Sequence, residues 1–177
     1  MHTQGFRRST SGWLAAVALL ASLFCGHALA DGVASSSASV TVGGEVAHPL
    51  RLDANALAAM PHHDVTAGAH RQSGTWTGVA LADILRAAGV PLGETLRGRN
   101  LLLYVRIGAA DGYRVVYSLA ELDPGFRDNG VILAYLHDGK PMDAHEGPFR
   151  VIAPHESRPA RWIREVTSID VLRAPAQ

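Results

Sequence analysis

The sequence predicts a strand-rich α+β domain with a mixed sheet and few short helices. Short runs of β-branched and aromatic residues recur along the chain. One stretch near the middle has clear helical periodicity. Glycine is abundant, 18 in 177 residues, and much of it lies between the runs. Many short strands with turn residues between them and one good helix fit that class.

Taken in order, Val40 to Val46 reads as a strand broken by Gly43-Gly44, and Leu50 and Leu52 as a short continuation. Asp53 is placed to cap a short helix through Met60, since its carboxylate can accept the free donors of a first turn, and Pro61 stops it. Pro61 to Gly74 has three histidines and few large apolar residues, so it is open to two readings, a functional loop or a strand with exposed sides. Val79, Leu81, Ile84, Leu85 and Ala88 share a helical face, and Gly89 suits a left-handed cap. Leu101 to Ile107 and Tyr113 to Tyr117 read as a hairpin turned by Ala110-Asp111-Gly112. Ser118 and Glu121 have capping-box spacing, with Pro124-Gly125 as the stop. Val131 to Leu136, Phe149 to Ile152 and Val166 to Leu172 are the remaining strands, and Asp138-Gly139 is a turn before Lys140-Pro141-Met142.

Residues 1–30 read as a signal peptide. Arg7 and Arg8 precede an apolar run, Trp13 to Phe24, and Ala28-Leu29-Ala30 is a small-x-small cleavage signal with cutting expected before Asp31. The run is about 12 residues, short of the ~20 that span a bilayer. The paired arginines leave a twin-arginine route open. The expected organisation is a leader at 1–30, a flexible polar segment at 31–39, one domain at 40–173 and a tail at 174–177. The product would be periplasmic or secreted, with no membrane insertion after cleavage.

Two of the 16 basic residues lie in that leader and none of the 16 acidic ones do, so the mature charge is −2 with His neutral. A nearly neutral surface gives no reason to expect nucleic acid as a partner. The single cysteine is Cys25, inside the leader. A cleaved chain would have no disulfide, cysteine nucleophile or thiolate metal ligand.

Two clusters carry candidate chemistry. His62, His63, Asp64 and His70 offer nitrogen and oxygen ligands for Zn, Cu or Ni. On a strand, however, adjacent side chains point to opposite faces, so a solvated polar loop or a substrate role stands beside metal binding. The C-terminal run is denser. His137, His145 and His155 recur there with Lys140, Arg150, Arg158, Arg161 and Arg164. An arginine fork matches phosphate oxygens, so these residues either hold an anionic cofactor or decorate loops and sheet edges. The adjacent Trp162 and Ile163 cannot both be core residues of a regular strand. There is no G-x-S-x-G, H-E-x-x-H, phosphate-binding G-x-x-x-x-G-K-[ST] or C-x-x-C motif, and no carboxylates pair as a glycosidase dyad.

Three segments together carry a resemblance. T-W-T-G-V-A-L-A-D-I-L-R-A-A-G at 75–89 is similar to a W-x-G-V-x-L-x-x-L-L-x-x-A-G pattern. D-G-Y-R-V-V-Y-S-L at 111–119 is the second. D-G-K-P-M-D-A-H-E-G-P-F-R-V-I-A-P at 138–154, followed by A-R-W-I-R-E-V-T-S-I-D-V at 160–171, resembles N-G-x-P-L-x-x-x-H-G-x-P-x-R-x-x-x-P and K-W-x-x-x-I. From about Val40 to Leu172 the chain resembles the oxidoreductase molybdopterin-binding domain family, whose members include sulfite oxidases. The resemblance implies a sulfite-oxidase-like mixed-sheet fold and, in catalytic members, a molybdenum-pterin cofactor held by a cysteine thiolate and by basic side chains. Carried over, it implies cofactor binding by His145, Arg150 and Arg161, and more loosely by Arg158. Glu146 separates His145 from Gly147, which departs from the pattern. The segment V-T-A-G-A-H-R-Q-S-G, where the thiolate belongs, has no cysteine.

Two functions remain in view. One is a periplasmic molybdopterin-binding protein with oxidoreductase chemistry altered by the missing thiolate. The other is a non-enzymatic module that reuses the fold for an anionic small molecule or a periplasmic protein.

Overall fold

The computed structural model describes residues 38–69, 72–127 and 130–175. The leader, most of the 31–39 segment, His70 and Cys25 lie outside the described residues. Two five-stranded sheets organise the rest. The first has the order β2-β1-β10-β5-β6, from β1 (Val40–Gly44), β2 (Leu50–Leu52), β5 (Leu103–Ala109), β6 (Arg114–Ser118) and β10 (Val166–Arg173). The second runs β3-β4-β7-β8, with β9 also on β7, from β3 (His63–Ala69), β4 (Gln72–Ala80), β7 (Ile132–His137), β8 (Lys140–Pro141) and β9 (Arg150–Ile152). Only β1 and β10 pair in parallel among the described strands. This is the expected strand-rich mixed fold. Among the described residues no helix is long and apolar enough to cross a membrane.

Alternation decides the first sheet. Leu103, Val105 and Ile107 are buried on β5, as are Val40 and Val42 on β1, while residues between them are less so. The register aligns Val42, Ile169, Ile107 and Val115 into one apolar row across four strands. Gly44 ends β1 with φ +85, and a Cβ there would lie 2.1 Å from the Val171 carbonyl oxygen. Gly43-Gly44 therefore terminates the strand where the sequence suggested an interruption.

Three helices link the strands. Asp53 caps α1 (Ala54–Ala58) by accepting from the Ala56 amide at 2.8 Å. Helix α2 (Leu81–Ala87) buries Leu81, Ala82, Ile84 and Leu85, and Gly89 follows it with φ +75. Val79, expected on that helical face, instead lies in β4 opposite Leu133. A β-branched residue beside glycine accepts extended backbone, and strand pairing overrides helical spacing there. Helix α3 (Leu119–Leu122) has the full Ser118–Glu121 capping box.

Of the two readings of Pro61 to Gly74, the exposed-sided strand is the one found: half of the segment is β3, antiparallel to β4, which begins at Gln72. Trp162 and Ile163 are both buried, at 6% and 2% exposure, although adjacent. They follow a short 3-10 turn, Pro159–Arg161, so strand alternation does not govern them, and the Trp162 Nε1 donates to the Ala153 oxygen at 2.9 Å.

Gly78 sits where β4 shifts register against β7, and a Cβ there would lie 2.4 Å from the Leu133 carbonyl oxygen. Backbone cannot yield to it. Gly78→Ala is expected to destabilise by about 3 kcal/mol. Gly43→Ala, whose new carbon would meet only Asp170 Oδ1 at 4.0 Å, is expected to be near neutral. Urea midpoints of the two variants check this; equal values would dissociate the close approach from stability.

Candidate functional site

The turn after β8 sets the first wall of the site. Asp143 Oδ1 accepts from the amides of His145 and Glu146, both at 2.9 Å, and the Asp143 carbonyl accepts from Gly147 at 2.8 Å. This local side-chain turn aims Glu146 at Arg150, the first residue of β9. Their ion pair spans 2.9 Å, with side-chain exposures of only 13% and 9%. Burial lowers the Arg150 pKa from its ordinary value; the Glu146 carboxylate works against that, and the nearby charge of Arg164 adds to the lowering.

Behind Arg150 lies an aromatic stack. Its guanidinium carbon is 5.0 Å from the Trp76 ring centre, and Trp76 stacks on His137 at 3.8 Å with ring planes 1° apart. Trp76 and His137 face each other across β4 and β7. Gly74 closes over the pair, since a Cβ there would lie 2.3 Å from His137 Nε2. Among the described residues, the Trp76 Nε1, His137 Nε2 and Arg150 Nε atoms are buried without a hydrogen-bond partner. Buried polar atoms are normally satisfied.

The second wall is the loop before β10. His145 Nε2 is 2.9 Å from Arg164 Nη1. A guanidinium only donates, so in this contact Nε2 is the accepting atom. Between the walls lies a cavity of about 1190 Å³, which His145, Glu146, Arg150, Arg158 and Arg164 help to line. Gly68 of β3 and Asp111 and Tyr113 of the β5–β6 turn complete its rim.

The structure thus brings together three of the four residues implied as cofactor ligands, His145, Arg150 and Arg158. It does not bring Arg161 to the cavity. That guanidinium lies 4.2 Å from the Tyr117 ring centre and pairs with Glu156 at 2.6 Å and Glu121 at 3.2 Å. Its pKa is nevertheless raised: burial lowers it, and bonding and charge from Glu156 with charges from Tyr117 and Glu121 outweigh that. Arg164, named in the basic run but not among the cofactor ligands, is at the cavity. Trp76 and the buried role of Glu146 also escaped the sequence reading. The four-residue spacing from Glu146 to Arg150 was the available signal for that pair. His63 Nε2 lies 3.7 Å from Asp83 Oδ2. Among the described residues no three His, Cys, Asp or Glu side chains are placed to hold a metal.

The cavity is not uniformly positive. Asp111, Glu146, Glu156 and Glu165 line it beside Arg150, Arg158, Arg164 and His145. Such a mixed set matches a pterin bearing a phosphate. Carboxylates accept from the amino-pyrimidinone edge, and guanidinium groups donate to the phosphate. Among the described residues that line it, none offers a thiolate.

The fold and cavity together define a mixed-sheet domain with a cavity lined by charged groups of both signs. Residues 28–177 match the oxidoreductase molybdopterin binding domain, and the chain belongs to that family. No curated protein matches the chain. Among solved structures it is similar to the sulfane dehydrogenase SoxCD from Paracoccus pantotrophus, with a TM-score of 0.60 and 18% identity over 76% of this chain. The match spans 38% of that longer chain, and at this identity it establishes the fold.

Two outcomes follow from the ion pairs. Glu146→Gln leaves a buried guanidinium uncompensated and is expected to destabilise by about 3 kcal/mol, while Glu146→Leu with Arg150→Met recovers most of that; denaturant melts check it. For Glu121, burial raises the carboxyl pKa, but bonds from the Ser118 amide and hydroxyl, with Arg161, bring it below its ordinary value. Its contribution is therefore full above the unfolded value of about 4.3 and fades as pH falls through the lower folded value. Urea midpoints followed from neutral pH downward should fall less steeply in Glu121→Gln than in the wild-type chain.

Proposed function

We propose that this protein is an exported, periplasmic or secreted, ligand-binding member of its family. In this reading it takes a phosphate-bearing pterin into the cavity without ligating a metal through the chain. The observation that carries the reading is the pair of guanidinium groups, Arg150 and Arg164, close enough for one to lower the pKa of the other at the same cavity. Arg150 pairs with Glu146, and the contact found for Arg164 is the His145 ring. Guanidinium forks at one cavity offer an oxyanion paired donors, beside carboxylates that can accept from other parts of a ligand. Arg158 adds an exposed cation at the rim, and Asp111 and Glu156 supply acceptors for the pterin edge.

If the leader is removed as its sequence suggests, Cys25 leaves with it and the cavity keeps only nitrogen and oxygen donors. A molybdenum centre would bring oxygen-atom or electron transfer, but this donor set supports holding the pterin more than family-like turnover. The second reading, a module that docks a protein, draws only on the retained fold.

The test begins with the mature protein, expressed with its own leader in a host that makes the molybdenum cofactor. Elemental analysis and the fluorescence of oxidised pterin are expected to give pterin with little or no molybdenum. Titration of the stripped protein with 6-hydroxymethylpterin phosphate should show saturable binding, weakened about tenfold by Arg164→Ala, the scale of one lost charge-assisted hydrogen bond. Absence of both pterin and probe binding in folded protein would end the pterin reading. One molybdenum per chain would end the metal-free one.

A further inference from the structure

We infer that Arg161 is a positioning residue, which fastens the loop forming one wall of the cavity and does not touch what the cavity holds. The inference rests on the reading of the cavity as a ligand site. The sequence resemblance places Arg161 among the cofactor ligands, but its four Nη hydrogens are already committed. Nη1 donates to the Val116 carbonyl at 3.1 Å and to Glu121 Oε1 at 3.2 Å. Nη2 donates to the same Glu121 oxygen at 3.2 Å and lies 2.6 Å from Glu156 Oε1. Each Nη carries two hydrogens, so these contacts account for all four. One face of the guanidinium is covered by Tyr117. An anion approaching it would meet the fields of two carboxylates.

The same point holds the loop by its main chain. The Tyr117 hydroxyl donates to the Arg161 carbonyl and the Tyr113 hydroxyl to the Ala160 carbonyl, each at 3.0 Å. Four residue pairs thus tie Ala160 and Arg161 to Tyr113, β6 and α3. On its other side this loop presents Glu156, Arg158, Trp162 and Arg164 to the cavity. Without the tie, Arg158 and Arg164 lose their common frame. The Val116 carbonyl, which accepts from Arg161, belongs to an edge strand of its sheet, so the same side chain also occupies a backbone acceptor that would otherwise be open to another strand.

Hydrogen exchange by mass spectrometry on the full mature chain tests the tie, alongside anisotropy titration with 6-hydroxymethylpterin phosphate. In Arg161→Ala the amides of 156–164 should exchange about tenfold faster while β5 and β10 keep their protection. Probe affinity should fall about tenfold. Arg161→Lys, which keeps the charge but not the fork, should recover part of both. Lost binding with unchanged loop exchange would mean that Arg161 contacts the ligand and would overturn the inference. Faster loop exchange with unchanged binding would overturn it too, because the loop would then not set the site. Should Arg161→Ala fail to fold, Tyr117→Phe removes one tie at a residue outside the cavity lining and is held to the same two outcomes. A wild-type chain that does not bind the probe sinks the pterin reading, and loop exchange alone then decides the fastening.

Discussion

The buried ion pair of Arg150 and Glu146 constrains most of what surrounds it. A guanidinium taken out of water costs several kcal/mol unless its partner is held in good geometry. Holding Glu146 requires the Asp143 turn, and that turn also fixes His145 for Arg164. Holding Arg150 requires β9 on β7 and the face of Trp76. Trp76 in turn is placed by the β4–β7 register and by Gly74, which leaves room for His137. One charge pair therefore ties a loop, three strands and an aromatic stack into a single arrangement, and the cavity opens on its exposed side.

What the sequence disclosed follows from how local each feature is. The Asp53 cap, the Ser118–Glu121 box and the left-handed Gly89 depend on residues within four positions, and all were readable. Strands of the first sheet were readable because alternation reports one buried face. Val79 was misassigned because an apolar residue between Gly78 and Ala80 satisfies both periods, and only pairing with Leu133 separates them. The Trp76–His137 stack was out of reach for a stronger reason. It depends on a register shift between strands some sixty residues apart. Arg161 shows the limit of transferring a role by motif. The basic residue before Trp162 is present, but Glu121 and Glu156, which motif matching does not weigh, decide what it bonds.

Charge balance distinguishes this cavity from a simple anion hole. Each cation at its wall has a carboxylate or imidazole within its own segment of chain: Arg150 with Glu146, Arg164 beside Glu165, and Arg158 two residues from Glu156. Such a lining discriminates by arrangement more than by total charge, because a bare anion meets repulsion as well as attraction. A ligand with separate donor and acceptor faces gains on both.

The first sheet places β10, the last strand, between β1 and β5. Val42, near the start of the described chain, meets Ile169, near its end. The central hydrogen-bonded neighbours of this sheet thus come from opposite ends of the sequence. β1 can pair early with β2, and β5 with β6, but the edge that each turns to β10 stays open until nearly the whole chain is available, so contacts of high sequence separation must close before the sheet gains their stability. While the chain is still emerging from a ribosome, each of these two pairs keeps one open edge. A holding chaperone can grip such an edge before the last strand arrives to cover it.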